Sequence, residues 1–144
     1  MSEARLHLVA HVAGRGLLFD ATQVDSVVDL PEIVPTPGAP ATIRGLAALR
    51  SRVVTVIDTG AALGLPPASQ ASRAVIAQVQ GHHYALLVDA LDDVFALERL
   101  PLSPGLALDG AWAASACGMV DRGGEPLLIL NLSRLVPGNT ALAA

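Results

Sequence analysis

The chain is short of the side chains that most chemistry and most nucleic-acid binding require. Its 144 residues include one cysteine, Cys117, so no internal disulfide can form, which fits a reducing cytoplasm. The only aromatics are Phe19, Tyr84, Phe95 and Trp112, too few for a base-stacking platform. Lys+Arg number 9 against 13 Asp+Glu, a net charge of -4, which argues against a phosphate-neutralising surface and against nucleic-acid binding. Long hydrophobic runs are missing as well, although 52% of the residues are hydrophobic and the mean hydropathy is +0.53. The longest runs, "RVVTVI" and "PLLIL", fall far short of the roughly 20 residues of a spanning helix. The N-terminus "MSEARLHLVAHV" has no signal-peptide pattern, so direct membrane insertion is not expected. Apolar runs of strand length with few aromatics point to small β-barrels packed with Val, Leu and Ala, with apolar surface left over for partners.

Candidates for chemistry do not assemble. His7 and His11 are four apart, a metal-binding spacing on a helix, but the local alternation reads as strand, where such residues sit about 13 Å apart. Asp92-Asp93 reads as an exposed charged turn, and His82-His83 as solvated residues of a hairpin turn. Cys117 opens an apolar segment as a small buried hydrophobe. No glycine pattern matches a phosphate-binding loop. Neither catalytic residues nor a metal nor a cofactor is expected.

Along the chain, residues 6–12 read as a strand that turns at "GRG" into "LLFD". "TQVDSVVDL" follows as a short helical turn passing into a strand. Pro31, Pro35, Pro37 and Pro40 make the next stretch an extended, stiff loop. "VVTVI" is β-branched at every position and reads as a strand. Asp58 after it is placed to cap a short helix that ends at Gly64 before Pro66-Pro67. Residues 68–72 read as a linker, and strands follow at 74–79 and 84–88, joined by "QGHH".

The chain then repeats itself. "LLFDATQVDSVVDL" is echoed by "ALLVDALDDVFAL", and "RGLAALRSRVVTVIDTGAALG" by "CGMVDRGGEPLLILNLSRLVPG". Gly45 aligns with Gly118, Ile57 with Leu130 and Asp58 with Asn131, at spacings of 67 positions for the first pair of segments and 73 for the second. Two copies of a strand-rich module, each too small to bury much alone, should pack together. The expected modules are roughly 14–72 and 73–138, with the strand at 5–13 completing the pair, in a single domain over 1–144.

"IRGLAALRSRVVTVID" carries Arg44, Arg50 and Arg52 around an apolar strand. On a continuous strand Arg50 and Arg52 would share one face. Two guanidinium groups beside apolar surface suit either solubility or a carboxylate-pairing anchor at a protein interface. With the proline-bearing "LPEIVPTPGAP" before it and "VIAQVQGHHYALLVDALDDVFAL" after it, this run resembles the chemotaxis coupling proteins of the CheW family, and the similarity extends from about Leu6 to Val136. The resemblance implies a mainly β fold of two packed, intertwined five-stranded SH3-like β-barrels with short helices. It further implies a non-catalytic cytoplasmic adaptor that couples chemoreceptors to the regulatory domain of the histidine kinase CheA. Barrel ends would meet the kinase and leave self-association open, while a groove between barrels would take the receptor's cytoplasmic tip.

By that resemblance the protein-binding residues are Arg50, Arg44, Gly45, Val24, Ser26, Val27, Ala85 and Leu91. Arg50 stands at the arginine of the family's N-L-R-G run as the receptor contact, Val24 and its counterpart Leu91 at groove positions, and Gly45 in a tight turn after Arg44. The chain departs from the pattern at Ala48, Ser51 and Thr55, and Ser26 stands where family members often carry the acid that pairs with the arginine. Arg50 then needs a carboxylate from Asp25, from Asp29 or from a partner. Two other readings stay open: a CheW-like scaffold for a partner other than a chemoreceptor, and a small β-barrel that binds a ligand or nucleic acid.

Overall fold

The structure, a computed structural model, describes residues 4–65, 73–102 and 110–136. Strand β1 (Ala4–Val12) turns back into β2 (Arg15–Asp20), and a 3-10 turn at Ala21–Gln23 leads to β3 (Ser26–Asp29). After the proline-bearing segment come β4 (Ile43–Leu49), β5 (Arg52–Asp58) and the one-turn helix α1 (Thr59–Ala62). Next are β6 (Arg73–Val79), β7 (His82–Leu87), β8 (Ala90–Glu98), helix α2 (Gly110–Ser115), β9 (Ala116–Arg122) and β10 (Glu125–Leu130), with a second 3-10 turn at Leu132–Arg134. The expected linker at 68–72 and the Pro66-Pro67 stop lie outside the described residues.

Among the described residues ten strands form two five-stranded sheets, β8-β1-β2-β10-β9 and β3-β6-β7-β5-β4. Both ladders are open, and each contains one parallel pair, β2 with β10 and β5 with β7, among antiparallel neighbours. The internal repeat is carried into the register. Leu8 pairs with Val94 as Val75 pairs with Val27, and Leu17 pairs with Leu128 as Tyr84 pairs with Thr55. Sheet membership nonetheless cuts across the two copies. The first sheet takes β1 and β2 from the first copy and β8, β9 and β10 from the second; the other sheet takes the remainder. The modules drawn at 14–72 and 73–138 therefore each supply strands to both sheets, because the leading hairpins of the copies are exchanged. A sequence repeat reveals the copies but not the exchange.

Three apolar layers follow from strand alternation. Leu8, Ala10, Leu17 and Phe19 of one sheet meet Ile57, Val75, Tyr84 and Leu86 of the other in the largest buried cluster. The intervening positions turn the other way: Val9, Leu18 and Ile129 pack behind the first sheet, and Val54, Val56, Ala74 and Leu87 behind the second. Strands buried on both faces read as continuous apolar runs, which accounts for the high hydropathy of the chain. Among the described residues no helix is long and apolar enough to cross a membrane.

Local signals hold where they are backbone signals. Asp58 caps α1 by accepting the Ala61 N–H at 3.1 Å, and its counterpart Asn131 caps the Leu132–Arg134 turn through the Ser133 N–H at 3.0 Å. Gly64 ends the helix at φ 74°. Three strand connections, Ala13-Gly14, Gln80-Gly81 and Gly123-Gly124, have positive φ at both residues, as tight hairpins with the sheet's twist require. The Gln80-Gly81 turn is shorter than the expected "QGHH" turn, and both histidines belong to β7. Asp92 and Asp93 likewise lie exposed along β8 and not in a turn. His7 is fully buried with Nδ1 2.9 Å from the Arg5 carbonyl, and His11 meets Asp92 at 3.1 Å, so the pair makes no joint site.

Candidate protein-binding clefts

The β4–β5 connection departs from the other three hairpins. Leu49 pairs with Arg52, so Arg50 and Ser51 form the two-residue turn and Arg50 does not share a strand face with Arg52. Arg50 adopts φ 57°, a left-handed conformation that disfavours a side chain, whereas the second turn residue is Ser51 where the other hairpins have glycine. The turn holds the Arg50 side chain at the rim of a cleft of about 360 Å³ between β3 and the β4–β5 hairpin. Ser26, Val27 and Val28 form one wall, Leu49 and Val54 the other, and Ile76 contributes from the second copy of the repeat. Val27 is 43% exposed there.

The charges of this cleft are unbalanced. Asp25, Arg50 and Arg52 all line it, but Arg50 makes no ion pair or hydrogen bond among the described residues. Asp29, the other sequence candidate for its partner, pairs with Arg73 at 3.2 Å. Arg52 donates to His83 Nε2 at 2.6 Å and makes no ion pair among the described residues. Ser26 is exposed beside these groups and carries no charge.

The remaining expected site residues separate into different roles. Val24 lines a neighbouring cleft of about 520 Å³ with Thr22, Gln23, Ala77 and Gln78, closed at one end by Leu132 and Ser133. Gln23 organises that end: its Nε2 donates to Asn131 Oδ1 at 3.1 Å and its Oε1 accepts the Leu132 N–H at 3.2 Å. Leu91 lines neither cleft; like Val24, it is half-buried against the layer between the sheets. Arg44 donates through Nε to the buried Asp58 at 3.1 Å, so it braces the base of α1. Ala85 is 0% exposed inside the apolar layer behind the second sheet, which makes it a supporting residue and not a contact surface.

Gly45 lies in a bulge of β4 and not in a tight turn, but its lack of a side chain is required. At φ 149° a Cβ would collide with the Val34 carbonyl oxygen and stand 2.9 Å from Pro35 Cα. This close approach lets Val34 and Leu46 exchange backbone hydrogen bonds of 2.8 and 2.9 Å, which pins the proline-bearing loop to the sheet edge. The backbone bridge recurs at β9, where Leu100 and Met119 exchange bonds of 2.7 and 3.0 Å, but a Cβ on Gly118 would meet the Arg99 side chain and not backbone.

Ile76, His83 and Gln23 were not legible as site residues. Ile76 and His83 reach Arg50 and Arg52 only because β6 and β7 join the sheet of the other copy, and Gln23 looks in sequence like any polar turn residue.

Comparison with known proteins places the fold and chain together. A family model described as the CheW-like domain matches residues 7–138. A protein named chemotaxis protein CheW from Rhizobium meliloti is 31% identical over 113 residues, spanning 76% of this chain and 73% of its own. Another of that name from Treponema pallidum is 25% identical over 143 residues, 94% of this chain and 84% of its own. The crystal structure of the scaffolding protein TtCheW from Thermoanaerobacter tengcongensis superposes with a TM-score of 0.81 at 25% identity, covering 94% of this chain and 95% of that one.

Proposed function

The chain belongs to the CheW-like domain family, and from that premise we propose that it is a non-catalytic cytoplasmic adaptor coupling chemoreceptors to the histidine kinase CheA. The observation that carries the reading is the family match over residues 7–138 together with a likeness to a scaffolding protein across almost the whole of both chains. The cleft at Arg50 supports it locally: an arginine held in an unfavourable backbone conformation, which makes no ion pair among the described residues, is arranged to meet a carboxylate from outside. In this reading the receptor tip uses the cleft of Arg50, Ser26 and Val27, which lies within the second sheet and not in the groove expected between barrels, and the adjoining surface of Val24. The kinase regulatory domain uses exposed apolar surface of the second sheet away from that cleft, at Val34, Leu46 and Val53.

Calorimetric titration against the CheA regulatory domain and, separately, against a receptor signalling tip from the same organism tests the proposal. Binding to both is expected, with Arg50→Ala weakening the tip and leaving the kinase domain unchanged. Kinase binding alone would assign the chain to a scaffold for some other signalling partner, and binding to neither would remove the chemotaxis role.

A further inference from the structure

The molecule contains its own comparison for the Arg50 cleft. Applying the register of the repeat, Val28 of β3 corresponds to Phe95 of β8, since Val28 pairs with Ala74 as Phe95 pairs with His7. Leu49 corresponds in the same way to Arg122, the last residue of β9, since Leu49 pairs with Arg52 as Arg122 pairs with Glu125. In the first sheet the Arg122 guanidinium lies 4.5 Å from the centre of the Phe95 ring, so the arginine beside the β9–β10 turn covers an aromatic side chain supplied by the edge strand. In the second sheet the ring is absent because Val28 is small, the arginine has moved one position into the turn at Arg50, and about 360 Å³ stand open between the two elements.

We propose that the cleft between β3 and the β4–β5 turn receives an aromatic side chain of a partner protein, with a carboxylate next to it in the partner's sequence. The ring stacks against Arg50 as Phe95 stacks against Arg122, between Val27, Val28 and Ile76, and the carboxylate lies toward Arg50 and Arg52, neither of which has a carboxylate partner among the described residues. The inference rests on reading this cleft as a partner surface and names the chemistry the surface selects. An aliphatic side chain would fill part of the same space but forfeit the stack, and a basic neighbour would meet the like charges of Arg50 and Arg52, two against the single Asp25 carboxylate on the lining.

Two experiments on the full chain test it, one without any receptor. Methyl NMR of the protein titrated with the blocked dipeptides acetyl-Asp-Phe-amide, acetyl-Asp-Leu-amide and acetyl-Lys-Phe-amide should show ring-current shifts of the Val27, Val28 and Ile76 methyls with the first. The second and third should bind at least severalfold more weakly. The paired substitution Val28→Phe with Leu49→Arg, which rebuilds the Phe95–Arg122 stack inside the cleft, should abolish the shifts of the Val27 and Ile76 methyls while leaving the fold intact by its remaining spectrum. Equal binding of the leucine peptide, or shifts that persist in the filled variant, would overturn the proposal. The same filled variant is then titrated with the receptor tip. Loss of tip binding agrees with the proposal; undiminished tip binding would overturn it while leaving the adaptor function standing. A tip that fails to bind the unmodified protein, with the dipeptide shifts present, would overturn the receptor assignment alone.

Discussion

Substituting alanine for Gly45 tests how the proline-bearing loop is fastened to the sheet. The added Cβ points into the Val34 carbonyl and toward Pro35, both backbone, so relief requires the loop to move and not a side chain to rotate. Movement gives up the 2.8 and 2.9 Å bonds between Val34 and Leu46, at about 1 kcal/mol each. A side chain at φ 149° adds strain of about 1–3 kcal/mol. The expected loss is about 3–5 kcal/mol, a large share of the roughly 5–15 kcal/mol typical of a domain. With an unfolding entropy of about 2.1 cal/mol/K per residue, that lowers Tm by about 10–17 °C. Gly118→Ala is the internal control. Its Cβ would meet the Arg99 Nε at 2.8 Å, and a long side chain can give way, so a loss of about 1 kcal/mol is expected. Thermal unfolding of both variants, with hydrogen exchange at the Leu46 amide, separates the cases. A Gly45→Ala protein within about 3 °C of the parent, or a Gly118→Ala protein equally damaged, would refute the reasoning.

Arg50→Asn should raise stability by about 0.5–1 kcal/mol, because asparagine accepts left-handed backbone more readily, while weakening receptor-tip binding about tenfold; a drop in urea-unfolding stability would show instead that the guanidinium holds the turn. Asp58→Ala removes both the cap of α1 and the partner of Arg44, for an expected loss of about 2 kcal/mol, and Asp58→Asn, which can still accept the Ala61 N–H, should lose about half of that by chemical denaturation. Burial pushes the Asp20 carboxyl up, but the Thr22 N–H and hydroxyl, with attraction to His7 and Arg5, outweigh it and hold the group below its ordinary 3.8. The folded-state value being the lower one, its charge stabilises the fold above about pH 4 and ceases to as pH falls below that. The stability gap between parent and Asp20→Asn should therefore close on acidification, measured by urea unfolding at pH 7, 5 and 3; a gap that widens toward pH 3 would reverse the assigned sign.

The fold was legible where a residue's own backbone needs set the outcome. Asp58 and Asn131 cap turns wherever the chain is placed, Gly45 marks a close backbone approach, and strands buried on both faces announce themselves as unbroken apolar runs. The candidate site was legible only in part. Arg50, Ser26 and Val27 do share a cleft, but Ala85, which alternation alone cannot assign to surface or core, is wholly interior, and Arg44 is engaged by Asp58.

By itself the sequence determined the strand-rich composition, the two copies and their spacings, and the family to which the chain belongs, because these depend on local pattern and order. Tertiary structure alone decided that the copies exchange their leading hairpins, bringing Ile76 and His83 beside Arg50 and Arg52. It also decided that Phe95 lies beneath Arg122 while the equivalent space at Val28 stays open. The physical reason is that a strand's alternation specifies which of its faces are apolar but not which neighbour supplies the other half of the layer; that follows from long-range pairing, settled only when both copies pack.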